Sequence, residues 1–225
     1  MFVYNNLYNI SNQGKAMKQN FLEAMDFRHA CKVFDDTKKI SDDDISFILE
    51  VARKSPSSFG MEPWKFLVIT NDELKAKIRP ACWDQVQITS CSHLVVVLAR
   101  IEDVKPESGE PLKRFARRDM PQEKLDFYVD LYANHLKETL SSDENIYHWT
   151  SKQTYIALGN MMSAAASIGI DSCAIEGLDK EKVEDILELD TTKYQLSVIL
   201  PLGYRLNEQS SQQRLNFDEV VEFIK

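Results

Sequence analysis

Two stretches of this chain, Leu94–Ala99 and Leu196–Leu202, are apolar, rich in β-branched residues and of strand length. A strand without a polar face must be covered on both sides, so these runs call for a central sheet flanked by helices. Both fall far short of the ~20 apolar residues that a membrane helix needs. No segment is expected to span a bilayer, and no membrane partner is expected.

The rest of the chain supplies the covering layers. Ser41 before Asp42, Asp43 and Asp44 is a helix N-cap with an acidic first turn, and Ile45, Ile48, Leu49 and Ala52 then repeat at helical spacing. Pro56 ends that helix near Lys54, and a loop Ser-Pro-Ser-Ser-Phe-Gly follows. A strand over Lys65–Thr70 and a short helix from Asp72 to about Ile78 come next. From Ile101 to Glu144 the chain is charged and interrupted by Pro106, Pro111 and Pro121, then helical through Leu125, Tyr128, Val129, Tyr132 and Leu136. This excursion, at about 101–147, reads as a lid or pocket wall. A long helix is expected from Ser151 to about Ile168, buried nearly all round, with Tyr155, Leu158, Met162 and Ala166 on one stripe and Gly169 closing it. Its Gly159, Ser163, Ala164 and Ala165 admit another helix closely, within the chain or across a dimer axis. Helices over Lys180–Leu187 and Asp218–Ile224 complete an α+β arrangement. Residues 1–20 read as a variable extension, with Met17 as an alternative start, and residues 21–225 as a single domain.

Composition removes several function classes. The balance of 27 basic and 35 acidic residues, a net charge of −8, opposes nucleic acid and anionic membranes. Cys31, Cys82, Cys91 and Cys173 lack paired CxxC spacing and read as reduced thiols of a cytoplasmic protein, with no metal site. The first residues show no secretory pattern. With 7 glycines and no GxGxxG or GxxxxGK[ST], any nucleotide must be held by side chains.

Arg28, His29 and Lys32 form the compact basic cluster for such a role, set among Met25, Phe27, Val33 and Phe34. Alone, this cluster reads as a solvated basic edge. In order along the chain, however, Arg28-His-Ala-Cys-Lys32-Val-Phe34-Asp35 precedes the acid-capped helix and then Ser55-Pro56-Ser57-Ser58-Phe59-Gly60-Met61-Glu62-Pro63-Trp64-Lys65-Phe66. Trp83-Asp84-Gln85-Val86-Gln87, Tyr147–Gln153, Gly169–Gly177, Pro201-Leu202-Gly203-Tyr204 and Arg214 follow. This ordered set, from about Phe21 to Val221, resembles the nitroreductase family.

The resemblance implies a nitroreductase-like α/β sandwich of the α+β class, with a central, mostly antiparallel sheet flanked by helices, working as a homodimer. It implies an FMN flavoprotein that takes hydride from NAD(P)H and passes it, in ping-pong fashion, to nitroaromatics, quinones or other small electrophilic acceptors. Carried over by residue, Arg28 and Arg214 grip the FMN phosphate with His29 beside them, and Lys32 meets the N1–C2=O edge. Asp84 and Gln87 face the flavin edge. The segment Ala174, Ile175, Glu176 and Gly177 directs a backbone N–H to N5 while Ile175 packs on the ring. Lys32 and Glu176 are the residues given catalytic roles. Pro56, Ser57, Ser58 and Gly60 reach the flavin of the other subunit.

Some positions depart from the family pattern: Ala30 replaces a serine that reaches phosphate, Gly60 an asparagine, Glu62 a glutamine, and Asp84 an asparagine, while Gln212 takes a frequent lysine position. Asp84 requires Lys32 or Lys152 to pair with it if flavin affinity is to be kept. Phe127, Tyr128 and Tyr132 are candidates for the acceptor wall, although their periodicity favours a helix core stripe. Arg114, Arg117 and Arg118 are candidates for recognising an NADPH 2′-phosphate. The alternatives are an FMN-binding regulator or non-redox relative without NAD(P)H turnover, and an interaction domain without cofactor.

Overall fold

A computed structural model describes residues 2–225 of the chain, with side chains from Gly14 onward. In order, the elements are α1 (Phe2–Phe27), α2 (Asp42–Arg53), β1 (Trp64–Ile69), α3 (Asp72–Ile78), α4 (Gln87–Ser90), β2 (His93–Arg100), α5 (Glu110–Ala116), α6 (Gln122–Thr139), α7 (Asp143–Ser167), β3 (Asp171–Ser172), α8 (Lys180–Ile186), β4 (Tyr194–Gly203) and α9 (Phe217–Val220). Residues 2–20 of the expected extension belong to the backbone of α1, and Met1 lies outside the described residues.

The two apolar runs are the central strands. The sheet order is β1-β2-β4-β3, and every neighbouring pair is antiparallel. Because side chains alternate across a strand, β2 feeds two cores at once. Leu94, Val96 and Leu98 join Ile69, Ile78, Ile88 and Ile199 on one face. Val95 and Val97 meet Ile48, Ala52, Ala157, Leu158 and Met161 of α2 and α7 on the other. A break in register between Val97 and Leu98 sits within the β2–β4 pairing. The excursion holds a third, smaller core of Met61, Ile101, Val104, Phe115, Tyr132, Leu136 and Ile146.

Several boundaries move. The long helix begins at Asp143, because the Ser142 hydroxyl accepts from the Asn145 N–H and two acidic residues fill the first turn. The helix is not buried all round either, since Tyr155 and Ile156 are exposed while Leu158 and Met161 are buried. The last helix is confined to Phe217–Val220, capped by Asn216 and Glu219, and Val221 is already extended. Apolar residues there stay exposed, so no packed face extends the helix to Ile224.

Three isolated bridges set the working end of the fold. Ala30 pairs with Ser172, Phe34 with Arg205 and Ile175 with Ile199, adding the segments after α1 and after β3 to the sheet margin. All four cysteines are free and buried. Among the described residues no helix is long and apolar enough to cross a membrane, and no His, Cys, Asp and Glu side chains are grouped to hold a metal ion.

Candidate functional site

The basic cluster is shaped by the backbone pairing that follows α1. The Cys31 N–H donates to the Ser172 carbonyl at 3.1 Å, and the Cys31 side chain points into the core. Alternation then leaves Ala30 and Lys32 exposed. The C-terminal tail is brought over this segment by two glutamines. Gln212 Nε2 donates to the carbonyls of Met25, Asp26 and Arg28 at 2.9, 2.8 and 2.6 Å, and Gln209 donates to Asp26 at 2.8 Å.

Beneath them lies a charged knot. The Asp171 carboxylate, almost fully buried, accepts from the Arg205 N–H and Nε, each at 2.9 Å, and His29 Nδ1 stands 3.6 Å from it. Arg205 also donates to Gln209 at 2.7 Å and to the Phe27 carbonyl at 3.2 Å, with its guanidinium 4.1 Å from the Phe27 ring centre. A carboxylate at this depth persists only with such partners. The result is a cleft of about 460 Å³ lined by Arg28, His29, Ala30, Lys32, Gln212 and Arg214, together with Ser210, Ser211 and Gln213. No carboxylate lines it, so it suits an anionic group such as a phosphate.

A polar chain leads from the cleft to the turn after β3. Lys32 Nζ is 4.0 Å and Gln87 Nε2 is 3.8 Å from Cys173 Sγ, Gln87 donates to Gln85 at 3.0 Å, and Gln85 donates to the Gly177 carbonyl at 2.9 Å. Burial raises the Cys173 pKa, against the lowering effects of Lys32 and Gln87. Lys32 and Gln87 are thus gathered round one neutral thiol, and Gln85 links Gln87 to Gly177. Gly177 also lies against the exposed ring of Trp83, where a Cβ would stand 2.6 Å from a ring carbon.

Within the turn, Ile175 corrects an expectation. Its side chain is buried in the core and its N–H donates to the Ile199 carbonyl at 2.8 Å, so it offers no surface for a stacked ring. Glu176 is exposed, its N–H has no acceptor among the described residues, and its carboxylate accepts from the Tyr155 hydroxyl. Burial and then that carboxylate raise the Tyr155 pKa. Asp84 is exposed, follows Trp83 in a second left-handed conformation, and forms no ion pair with Lys32, Lys152 or any other described residue.

The Ser-Pro loop lies elsewhere in the same chain, and Pro56, Ser57, Ser58 and Gly60 do not line the cleft of Arg28 and Arg214. Helix α7 pins it from below: Asn160 donates to the Ser55 hydroxyl at 2.8 Å, and Gln153 accepts from the Ser58 N–H at 2.9 Å. From the excursion, Arg118 donates to the Phe59 carbonyl at 2.7 Å, Arg117 pairs with Glu62 at 3.1 Å, and Arg114 donates to the Met61 carbonyl. These three arginines are engaged by the loop, which accounts for them without a nucleotide phosphate.

Of the candidate wall residues, Tyr132 is core. It is 1% exposed, its hydroxyl donates to the Val104 carbonyl at 2.6 Å, and its ring meets Phe59 and Phe115 edge-on. It therefore leaves the acceptor wall, as the stripe periodicity foretold. Phe127 and Tyr128 are exposed and pack against each other at 5.8 Å. Asp171, Arg205, Gln85, Gln153, Asn160 and Tyr155 were given no site role from the sequence. Each acts on a partner distant along the chain, so no local spacing marks it.

Residues 25–204 match the sequence profile of the Nitroreductase family. A Bacillus subtilis protein provisionally named NAD(P)H nitroreductase YfkO is 42% identical over 219 residues, covering 92% of this chain and 99% of that protein. A Staphylococcus epidermidis protein provisionally described as an NAD(P)H:FMN oxidoreductase superposes with a TM-score of 0.71 at 26% identity, over 91% of this chain and 95% of its own. A nitroreductase, also provisionally so described, from Exiguobacterium sibiricum, solved in complex with FMN, superposes with a TM-score of 0.78 at 23% identity, covering 91% and 97%.

Proposed function

Because this chain belongs to the nitroreductase family, we propose that it is an FMN-dependent NAD(P)H oxidoreductase that reduces small electron-poor acceptors, nitroaromatics and quinones among them. The observation that carries the reading is the meeting of Arg28 and Lys32 with Arg214, from opposite ends of the chain, in one cleft free of carboxylates. When bound, FMN supplies the two-electron exchange between NAD(P)H and the acceptor.

The protein supplies placement and charge. Arg28 and Arg214 bind the phosphate, with His29 and the Ala30 backbone beside them, and Gln212 holds the tail so that the two cations stay together. Lys32, steadied against Cys173 by Gln87, presents a fixed positive charge that stabilises negative charge developing at the adjacent ring edge. The unspent Glu176 N–H orients the ring, and Ala174, Gly177 and Asp84 border it. Phe127 and Tyr128 form the wall on which a flat acceptor stacks. No side chain acts as nucleophile or general base.

The site calls for a homodimer, since Pro56, Ser57, Ser58 and Gly60 serve the partner's cofactor in this reading and lie away from their own cleft. Exposed Tyr155 and Ile156 on α7 and exposed Phe217, Phe223 and Ile224 in the tail offer the apolar area for it. Four free, buried thiols suit a cytoplasmic setting. A second reading, FMN binding without turnover, is favoured by the unpaired carboxylate of Asp84.

Purification with added FMN should give a yellow dimer whose colour anaerobic NADH or NADPH bleaches and a quinone restores. Arg28→Ala and Arg214→Ala should each weaken FMN binding by about tenfold or more, the worth of a charge-assisted hydrogen bond. Yellow protein that neither nucleotide bleaches would establish the second reading. Protein that remains colourless with excess FMN would end both.

A further inference from the structure

The loop over residues 57–62 adopts a backbone that its own sequence disfavours. Phe59 (φ 55°), Gly60 (φ 67°) and Glu62 (φ 46°) are all left-handed. For the phenylalanine and the glutamate this conformation costs free energy and persists only where the surroundings impose it. Two surroundings do so. Helix α7 reaches the loop through Gln153, and the excursion reaches it through Arg114, Arg117 and Arg118.

The three arginines are not equivalent. Arg114 is half-buried between the Met61 carbonyl and Asp103, a fixed part of the excursion's own core. Arg117 forms an exposed pair with Glu62, the kind of contact that contributes little. Arg118 alone joins the loop to the candidate acceptor wall. Its Nη2 donates to the Phe59 carbonyl at 2.7 Å, while its guanidinium carbon lies 5.4 Å from the Phe115 ring centre and 5.9 Å from that of Tyr128.

Residue 60 completes the arrangement. A Cβ on Gly60 would stand 2.6 Å from Arg118 Nη2, so the guanidinium occupies the volume that any side chain at this position would claim. The missing side chain at residue 60 and the arginine at 118 are complementary halves of one contact. Gly60 is thus explained by tertiary approach as well as by its φ.

We propose that Arg118 is a positioning residue which, by filling the space left at Gly60 and bonding the Phe59 carbonyl, holds the loop in its left-handed form and ties FMN affinity to the excursion. The inference rests on the reading that this loop meets the partner's FMN. Arg118 acts through the loop, and Tyr128 beneath its guanidinium links the acceptor wall to the same unit.

The test compares wild type, Arg118→Ala, Arg118→Lys, Gly60→Asn and the Arg118→Ala/Gly60→Asn double variant. FMN affinity of the apo-dimer is read by quenching of flavin fluorescence, and loop order by amide exchange at residues 58–62. Either single variant should weaken FMN about tenfold and speed exchange, as expected when one charge-assisted contact is lost. The double variant should be no worse than either single one, because both remove the same contact. Arg118→Lys should recover part of the affinity, since an ammonium also donates to the carbonyl. Additive losses, or faster exchange with unchanged FMN affinity, would overturn the proposal. Wild type that binds no FMN would instead be a failure of the family-based reading, a result the same titration identifies directly.

Discussion

Asp171 organises more of the site than any residue that faces the cleft. Its buried carboxylate fixes Arg205, which in turn holds the Phe27 carbonyl and Gln209, and so the tail that carries Arg214. Asp171→Ala leaves Arg205 without its partner, and breaking a buried pair from one side costs about 3 kcal/mol. Denaturant unfolding should show that loss, together with weaker FMN retention; a change below about 0.5 kcal/mol would mean the pair is replaceable. At this scale the sequence singled out Arg28, Lys32 and Arg214, which the structure brings to one cleft. It was silent on Asp171 and Arg205, which are 34 positions apart in number and meet only because β3 pairs with the end of β4.

Among the elements, β2 packs the two central cores and α7 pins the Ser-Pro loop. Strand β2 was legible because an apolar run of strand length has few other uses, and both its faces are indeed covered. Leu94, fully buried on one of them, should cost about 3 kcal/mol when cut to alanine, as core leucines do, with a lowered denaturation midpoint and an unchanged slope. A loss under about 1 kcal/mol would show that the covering layer collapses into the cavity. Helix α7 was legible only in part. Its small residues and periodicity gave its existence, whereas its start at Asp143 is marked by a Ser142 cap and acidic turn that the charged excursion obscured. That Gln153 and Asn160 reach back to the Ser-Pro loop follows from the packing of α7 beside that loop, which no periodicity encodes.

For the molecule as a whole, the buried thiols make a linked prediction. Burial pushes Cys31 up to about 11 and Cys82 and Cys91 up to about 12, from an ordinary value of 9.0. Between those values the unfolded chain releases protons that the folded chain keeps, so this stability is complete below pH 9.0 and declines as pH rises through about 11 to 12. The melting temperature should therefore fall between about pH 8 and about pH 10.5, and fall less in Cys31→Ala; an identical decline in that variant would remove Cys31 from the account. Native thiols should also resist alkylation at neutral pH and react on unfolding. By itself the sequence determined the α+β class, the central strands and the family, because burial pattern and ordered motifs are properties of the chain's own succession of residues. Tertiary structure alone decided that Ile175 is core, that Arg118 takes the space beside Gly60, and that Asp171 underlies the cleft. Those outcomes depend on distances between segments remote along the chain, and such distances exist only once the sheet has brought the segments together.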